Sequence, residues 1–314
     1  MDKLTFDFEK PIREREKKLA ELEERGAAAS KINALKEEIN QLKQRVYKNL
    51  HPWQRVQIAR HPNRPRTLDY IHHIFDLFIE LRGDRGFRDD PAIVGGLAKI
   101  EDFRVVVLGH QKGKGAKDSA YRNFGMPYPE GYRKAQRLMR LGEKFSLSVI
   151  TFIDTPGAYP DVEAEERGQA WAIAESLRLM STLKVPIISF NVGEGGSGGA
   201  LAIGLANRIY LLENAYYSVI TPEGCASILW QDASRAPQAA EALKLTAEDL
   251  LSRGLIDEVI PEPLGGAHCE PEQVFQAVRK VILRDLEIFS KFSADKIVEE
   301  RKERFRQCGL FKET

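Results

Sequence analysis

The 314-residue sequence predicts an α/β domain built on parallel strands, and three observations carry that prediction. Four apolar runs have the length of buried strands: FRVVVLGH at 103–110, SVITFID at 148–154, VPIISFNV at 185–192 and RIYLLEN at 208–214. The first three run straight into glycine-rich turns, QKGKG, TPGAYP and GEGGSGG. Helical patterns lie between them, notably YRKAQRLMRLGEKF and ERGQAWAIAESLRLMSTL. Strand, glycine turn and helix recurring in this order favour a parallel sheet, whose ligands bind at the carboxyl ends of the strands.

In chain order, residues 1–54 read as a helical segment. Its apolar residues Ile32, Leu35, Ile39, Leu42 and Val46 step by three and four, the seam of a helical hairpin or short coiled coil. Gly26, followed by AAAS, separates this helix from an earlier one carrying Leu19 and Leu22. The seam serves either packing on the chain's own body or contact with another subunit. Residues 55–265 form the α/β domain, in which a second short strand is expected within AYYSVITPEG after the fourth apolar run. Residues 266–314 read as a C-terminal helical extension.

Composition narrows the class. Apolar content of 43%, charged content of 30% and a net charge of +1 describe an ordinary globular protein without a global field for nucleic acid. The apolar runs fall short of the ~18 residues of a membrane span. Cys225, Cys269 and Cys308 lie far apart, which argues against zinc and disulfides and fits a reducing compartment. The N-terminus MDKLTFDFEKPIRERE is acidic without an apolar core, unlike a leader peptide, so a cytoplasmic location is expected.

The densest signal is NVGEGGSGGALAIG at 191–204, with six glycines in fourteen residues. Gly193, Gly195 and Gly198 satisfy G-x-G-x-x-G, and Glu213 lies twenty residues beyond the first, as in a dinucleotide site. A Walker loop is excluded because no Lys-Ser/Thr follows the glycines. Alternatively, GGALAIGLAN is a short helix opened by Gly198 and Gly199, whose first N–H groups face a developing oxyanion. A third reading gives the glycines only close helix-on-strand packing.

Other residues have paired readings. Lys112, Lys114 and Lys117 are candidates for contact with a ligand's phosphate or carboxylate groups, or form a solvated basic loop. His110 is expected to be a hydrogen-bonded near-core residue rather than a base. Arg60, Arg64 and Arg66, between prolines, suit phosphate recognition, a subunit salt bridge or a solvated linker. RGDRGFRDD is expected to be a charge network around a turn, and Cys225 a small buried residue.

The segments TFIDTPGAYPDVEAEERGQAWAIAESL, NVGEGGSGGALAIGLAN and YSVITPEGCASILW resemble the carboxyltransferase alpha subunits of multisubunit acetyl-CoA carboxylase. ARHPNRPRTLDYI, ELRGDRGFRDDPAIVGGLA, NFGMPYPEGYRKA and GLIDEVIPEPLGGAH extend the resemblance over nearly the whole chain. It implies the crotonase fold, stacked ββα units in a superhelix, and transfer of a carboxyl group from carboxybiotin on a carrier protein to acetyl-CoA, giving malonyl-CoA. It also implies a site shared with a beta subunit, in an expected alpha2beta2 assembly that works with a biotin carboxyl carrier protein and biotin carboxylase. Carried onto this sequence, the oxyanion hole for the biotin ureido oxygen comprises Gly198, Gly199 and Ala200. Gly195 and Gly196 shape the approach, and the Thr155-Pro156-Gly157-Ala158 turn lines the same cavity. No covalent biotin and no metal are expected on this chain, the family's zinc belonging to beta. Such chemistry needs no side-chain acid or base, in keeping with the lack of a recognisable triad. The rivals are another crotonase-type carboxyltransferase or decarboxylase, a nonenzymatic binding subunit with an RNA role, and a dinucleotide-dependent dehydrogenase.

Overall fold

The computed structural model describes residues 5–309; the outermost residues of both terminal segments lie outside the described range. Helices α1 (Lys10–Glu24) and α2 (Ala29–Lys48) form the expected hairpin. Leu35 and Ile39 are buried, and Ile32, Leu42 and Val46 half-buried, so the three-four seam faces inward. Tyr47 donates to Glu9 Oε1 at 2.6 Å. Short helices α3 (Pro52–Ala59) and α4 (Thr67–Ile74) lead into the sheet.

Strands β1 (Leu77–Glu80), β2 (Ile93–Ile100) and β3 (Phe103–His110) form an antiparallel meander. Of these three strands, only β3 is among the four apolar runs that the sequence offers as buried strands. Gly95 and Gly96 interrupt the apolar run of β2, and a Cβ at Gly96 would strike the Ile79 carbonyl on β1. Glycine here permits close strand approach and hides the strand from an apolar count.

From β3 onward the expected pattern holds. Helices α5 (Gly115–Tyr121) and α6 (Pro129–Lys144) lead to β4 (Ser148–Thr155). Next come α7 (Val162–Glu166), α8 (Gln169–Thr182), β5 (Ile187–Gly196) and the five-residue α9 (Ser197–Leu201). Then follow β6 (Arg208–Leu212), β7 (Tyr216–Ser218), α10 (Pro222–Trp230), α11 (Ala236–Leu243), α12 (Ala247–Ser252) and β8 (Glu258–Ile260). The sheet order is β1-β2-β3-β4-β5-β6-β8, with β7 pairing β5; every strand pairing beyond β3 is parallel.

Register sets the core. Gly109 stands beside Phe152, Phe152 beside Phe190, and Phe190 beside Tyr210, so these residues share one face. Tyr70 of α4 stacks on Phe152 at 5.3 Å, and the row continues through Phe190 at 5.7 Å and Tyr210 at 5.1 Å. The opposite face meets α6, where Gly142 brings the helix against Val106 and Val149. Helix α13 (Pro271–Phe289) adds Val274, Val278 and Ile282 to the same core. Helix α14 (Ala294–Arg306) is anchored by buried Arg301, which donates to the Met180, Leu183 and Val185 carbonyls and to Asn207 Oδ1, each at 2.7 Å. Among the described residues, no helix is long and apolar enough to cross a membrane.

Candidate functional site

The parallel strands β3, β4 and β5 end side by side at His110, Thr155 and Gly196, bringing three glycine turns to one edge of the domain. Two of the turns touch. A Cβ built on Gly199 would lie 2.5 Å from both the Ala158 nitrogen and the Gly157 carbonyl carbon. Only glycine at 199 lets α9 sit against the 155–158 turn. Gly196 is similarly closed by Pro156, Gly195 by Asn191 and Tyr217, and Gly193 by Asp154, so packing alone requires four of the loop glycines.

Gly157 and Gly198 differ. Among the described residues, a Cβ on Gly157 would meet nothing within 4 Å, and one on Gly198 would meet only Ile173, at 3.5 Å. The α9 helix starts at Ser197, capped by Gly196, one residue earlier than expected. The N–H groups of Ser197, Gly198 and Gly199 precede the first intrahelical bond and have no acceptor within the helix. Ser197 is exposed and Gly198 half-buried, whereas Gly199 and Ala200 are buried. The accessible end of the loop is thus Ser197–Gly198. Ser197, absent from the sequence-based set, adopts φ 52°, a left-handed conformation uncommon for serine.

Gly198→Ala is therefore expected to leave Tm unchanged or raise stability by ~0.4–1 kcal/mol, because alanine fits there and restricts the unfolded chain. Thermal denaturation of the two proteins measures this; a large fall in Tm would contradict the open geometry.

Behind the loop lies a buried ionic cluster. Lys112 Nζ sits 2.7 Å from Asp154 Oδ1 and 2.5 Å from Glu194 Oε2. Arg66 donates to the other Asp154 oxygen at 2.8 Å. Glu194 Oε1 also accepts from Arg60 Nε at 2.7 Å and Tyr216 Oη at 2.6 Å. Burial would raise the Glu194 carboxyl, but Lys112 and Arg60 outweigh it and hold it down to about 2. Burial likewise opposes ionisation of Asp154, and Lys112 and Arg66 keep it well below the usual carboxylate range.

This cluster revises several expectations. Lys112 is held by two carboxylates inside the chain rather than offered to a phosphate. Lys114 remains largely exposed, its Nζ 2.7 Å from Asp69 Oδ1. The three arginines of the proline segment form neither a solvated linker nor a free basic patch. Arg60 meets Glu194 and Glu223, Arg64 meets Glu262, and Arg66 meets Asp154. With these charges neutralised internally, the RNA reading loses its basis. Glu213 accepts from the Glu262 N–H at 3.1 Å and lies 3.6 Å from Arg55. His110 is fully buried, and burial pushes its imidazole down to about 3, so it stays neutral. Cys225 is half-exposed on α10 rather than buried.

Asp154 and Glu194 were not singled out from the sequence. A readable signal existed: each is a lone carboxylate within an apolar or glycine-rich strand end, where burial demands a cation. A cleft of about 530 Å³ lies at the opposite end of the same strands, lined by Phe103, Ser148, Pro186 and Phe289. It is a groove beneath the C-terminal helices, remote from the glycine turns.

Known proteins match both the sequence and the fold. Residues 5–309 match the family described as acetyl co-enzyme A carboxylase carboxyltransferase-like. The acetyl-coenzyme A carboxylase carboxyl transferase subunit alpha of Thermus thermophilus is 58% identical over 268 residues, covering 85% of this chain and 86% of the relative. The protein of the same name from a Geobacillus species is 57% identical over 266 residues, covering 85% and 82%. Among solved structures, transcarboxylase 12S with methylmalonyl-coenzyme A bound superposes with a TM-score of 0.59 at 20% identity, over 72% of this chain and 42% of that one. A Pseudomonas malonate decarboxylase hetero-tetramer in complex with coenzyme A gives 0.55 at 16%, over 69% and 89%. The structural likenesses establish the crotonase-type fold, and the sequence likenesses go further: this chain belongs to the family of acetyl-CoA carboxylase carboxyl transferase alpha subunits.

Proposed function

We propose that this chain is the half of a carboxyltransferase that receives carboxybiotin, and that it completes its site against a beta subunit to make malonyl-CoA from acetyl-CoA. The observation that carries this reading is the contact between the two glycine turns, which leaves the Ser197–Gly198 end of α9 open to solvent. Carboxybiotin, delivered on its carrier protein, supplies the carboxyl group for the methyl carbon of acetyl-CoA. The chain's own part is electrostatic and geometric. Backbone N–H groups of the 196–199 loop donate to the ureido oxygen as negative charge develops there, and the 155–158 turn shapes the other wall. Small side chains let the backbone approach closely, and the rigid strand ends hold that approach fixed.

An exposed apolar border supports a partner subunit. Ser218, which pairs with Gly196, is followed by Val219, and α10 carries Ile228 and Leu229; these three are 76%, 73% and 62% exposed. Apolar surface beside an open site fits a protein interface. The proposed assembly is alpha2beta2, with biotin carboxylase in the larger complex, zinc on beta alone and a cytoplasmic location.

The test is the reverse reaction, carboxyl transfer from malonyl-CoA to free biocytin. Little turnover is expected from this chain alone and strong turnover after mixing with the beta subunit. An assembled mixture without turnover would overturn the reading.

A further inference from the structure

The glycine loop is aimed by a bulge in β5, and the bulge is held by side chains. Ile153 stands opposite Asn191, but Thr155 stands opposite Gly195, so β5 carries two extra residues over this stretch. Bulges of this kind redirect a strand end and leave backbone groups without ladder partners. Here side chains take those groups. The Val192 carbonyl accepts from Arg64 Nε at 2.7 Å, the Gly193 N–H donates to Asn191 Oδ1 at 3.2 Å, and the Glu194 N–H donates to Asp154 Oδ1 at 3.0 Å. Asp154 immediately precedes the 155–158 turn, and Glu194 immediately precedes Gly195.

Lys112 ties these two carboxylates together from the third strand end, two residues beyond β3. Its stem is covered by the chain at Gly125, where a Cβ would lie 2.5 Å from Lys112 Cγ. The ammonium therefore points inward and is sealed there. We infer that Lys112 is a positioning residue for carboxyl transfer, locking the β5 bulge so that the 155–158 and 195–199 turns stay in contact. This inference rests on the function proposed above.

Other charges face the same pair. Arg60 and Tyr216 contact Glu194, with Glu223 beyond Arg60. Arg66 contacts Asp154, and neutral His110 lies nearby. Without Lys112, each carboxylate keeps one guanidinium, but nothing separates the two from each other. Two carboxylates that have lost the ammonium between them then resist joint ionisation, which raises one pKa of the pair. At low pH protonation of one carboxyl relieves the repulsion; at high pH the two anions repel and push the turns apart.

The experiment compares wild type, Lys112→Met and Lys112→Met/Glu194→Gln in the assembled enzyme, using malonyl-CoA and biocytin. Lys112→Met is expected to lower kcat about 100-fold, the scale of a small misplacement of catalytic groups. KM for malonyl-CoA should stay within about threefold, because no substrate contact is removed. The variant's rate should fall as pH rises through the raised titration of the pair, a limb that wild type lacks and that Glu194→Gln removes by abolishing the paired titration. A KM raised about tenfold or more with kcat retained would overturn the inference and make Lys112 a substrate contact. Amide hydrogen exchange on the full chain adds a readout independent of activity: residues 193–199 should exchange faster in Lys112→Met than in wild type. Unchanged exchange there would also overturn the inference. Faster exchange together with an inactive wild-type complex would sink the proposed function while leaving the locking role of Lys112 in place.

Discussion

Replacing Gly199 by valine is expected to reduce carboxyl transfer by about 10²–10³-fold, the cost of losing one preorganised oxyanion donor. The cause is steric and begins at the first side-chain carbon. A Cβ at 199 lies 2.5 Å from the Ala158 nitrogen and the Gly157 carbonyl carbon, both backbone atoms that cannot swing aside. Either α9 or the 155–158 turn must move, and the donors move with it. Gly199→Ala should therefore show most of the valine effect, because the clash needs no branching. The overpacking itself is expected to destabilise the fold by ~1–3 kcal/mol. The assay is biocytin carboxylation from malonyl-CoA with complex assembly checked by light scattering. A variant complex that assembles and retains the wild-type rate would show that contact between the turns is irrelevant to catalysis.

The second large effect is on stability. Arg64→Met is expected to cost ~3–5 kcal/mol, because it leaves Glu262 charged, buried and without its cation. Both side chains are 0% exposed, with Arg64 Nη2 2.5 Å from Glu262 Oε1. Arg64 also caps the Val192 carbonyl, so the substitution reaches the loop as well as the core. Thermal unfolding at neutral pH should show a Tm lower by roughly 5–8 °C. The pH dependence has a definite sign. Burial opposes the Glu262 charge, but Arg64 outweighs it and lowers the pKa, so the pair's stabilisation is present at neutral pH and fades as acid protonates Glu262. In the variant burial acts unopposed by Arg64, and Glu262 takes up its proton at higher pH. The difference in Tm between the two proteins should therefore shrink as pH is lowered. A constant difference would place the lost stability in packing rather than charge.

Particular residues show how far the sequence could be read. The strand 103–110 was legible to the residue because a buried strand in a parallel region is a continuous apolar run. The neighbouring strand Ile93–Ile100 was not, since Gly95 and Gly96 break its pattern to admit β1. Leu77–Glu80 and Glu258–Ile260 are too short for a local pattern to rise above background. The α2 seam from Ile32 to Val46 was legible because helical periodicity is a local property.

The charged residues behaved differently. Arg60, Arg64 and Arg66 sit in one proline-rich segment, yet they pair with carboxylates 134, 198 and 88 residues away. Nothing local distinguishes a solvated arginine from one that will be buried against a distant glutamate. Lys112 was misread for the same reason: a lysine in a glycine turn suits a phosphate until two strand ends bring Asp154 and Glu194 to it.

Contiguous residues were enough to establish the α/β class, the positions of the central strands, the glycine turns at their carboxyl ends and the family. Contact between the 155–158 and 195–199 turns, the opening at Ser197–Gly198, and the hold that Lys112 and the distant arginines keep on the loop arise only in the folded chain. They depend on strand register and on contacts between remote segments, which exist only once the sheet has assembled.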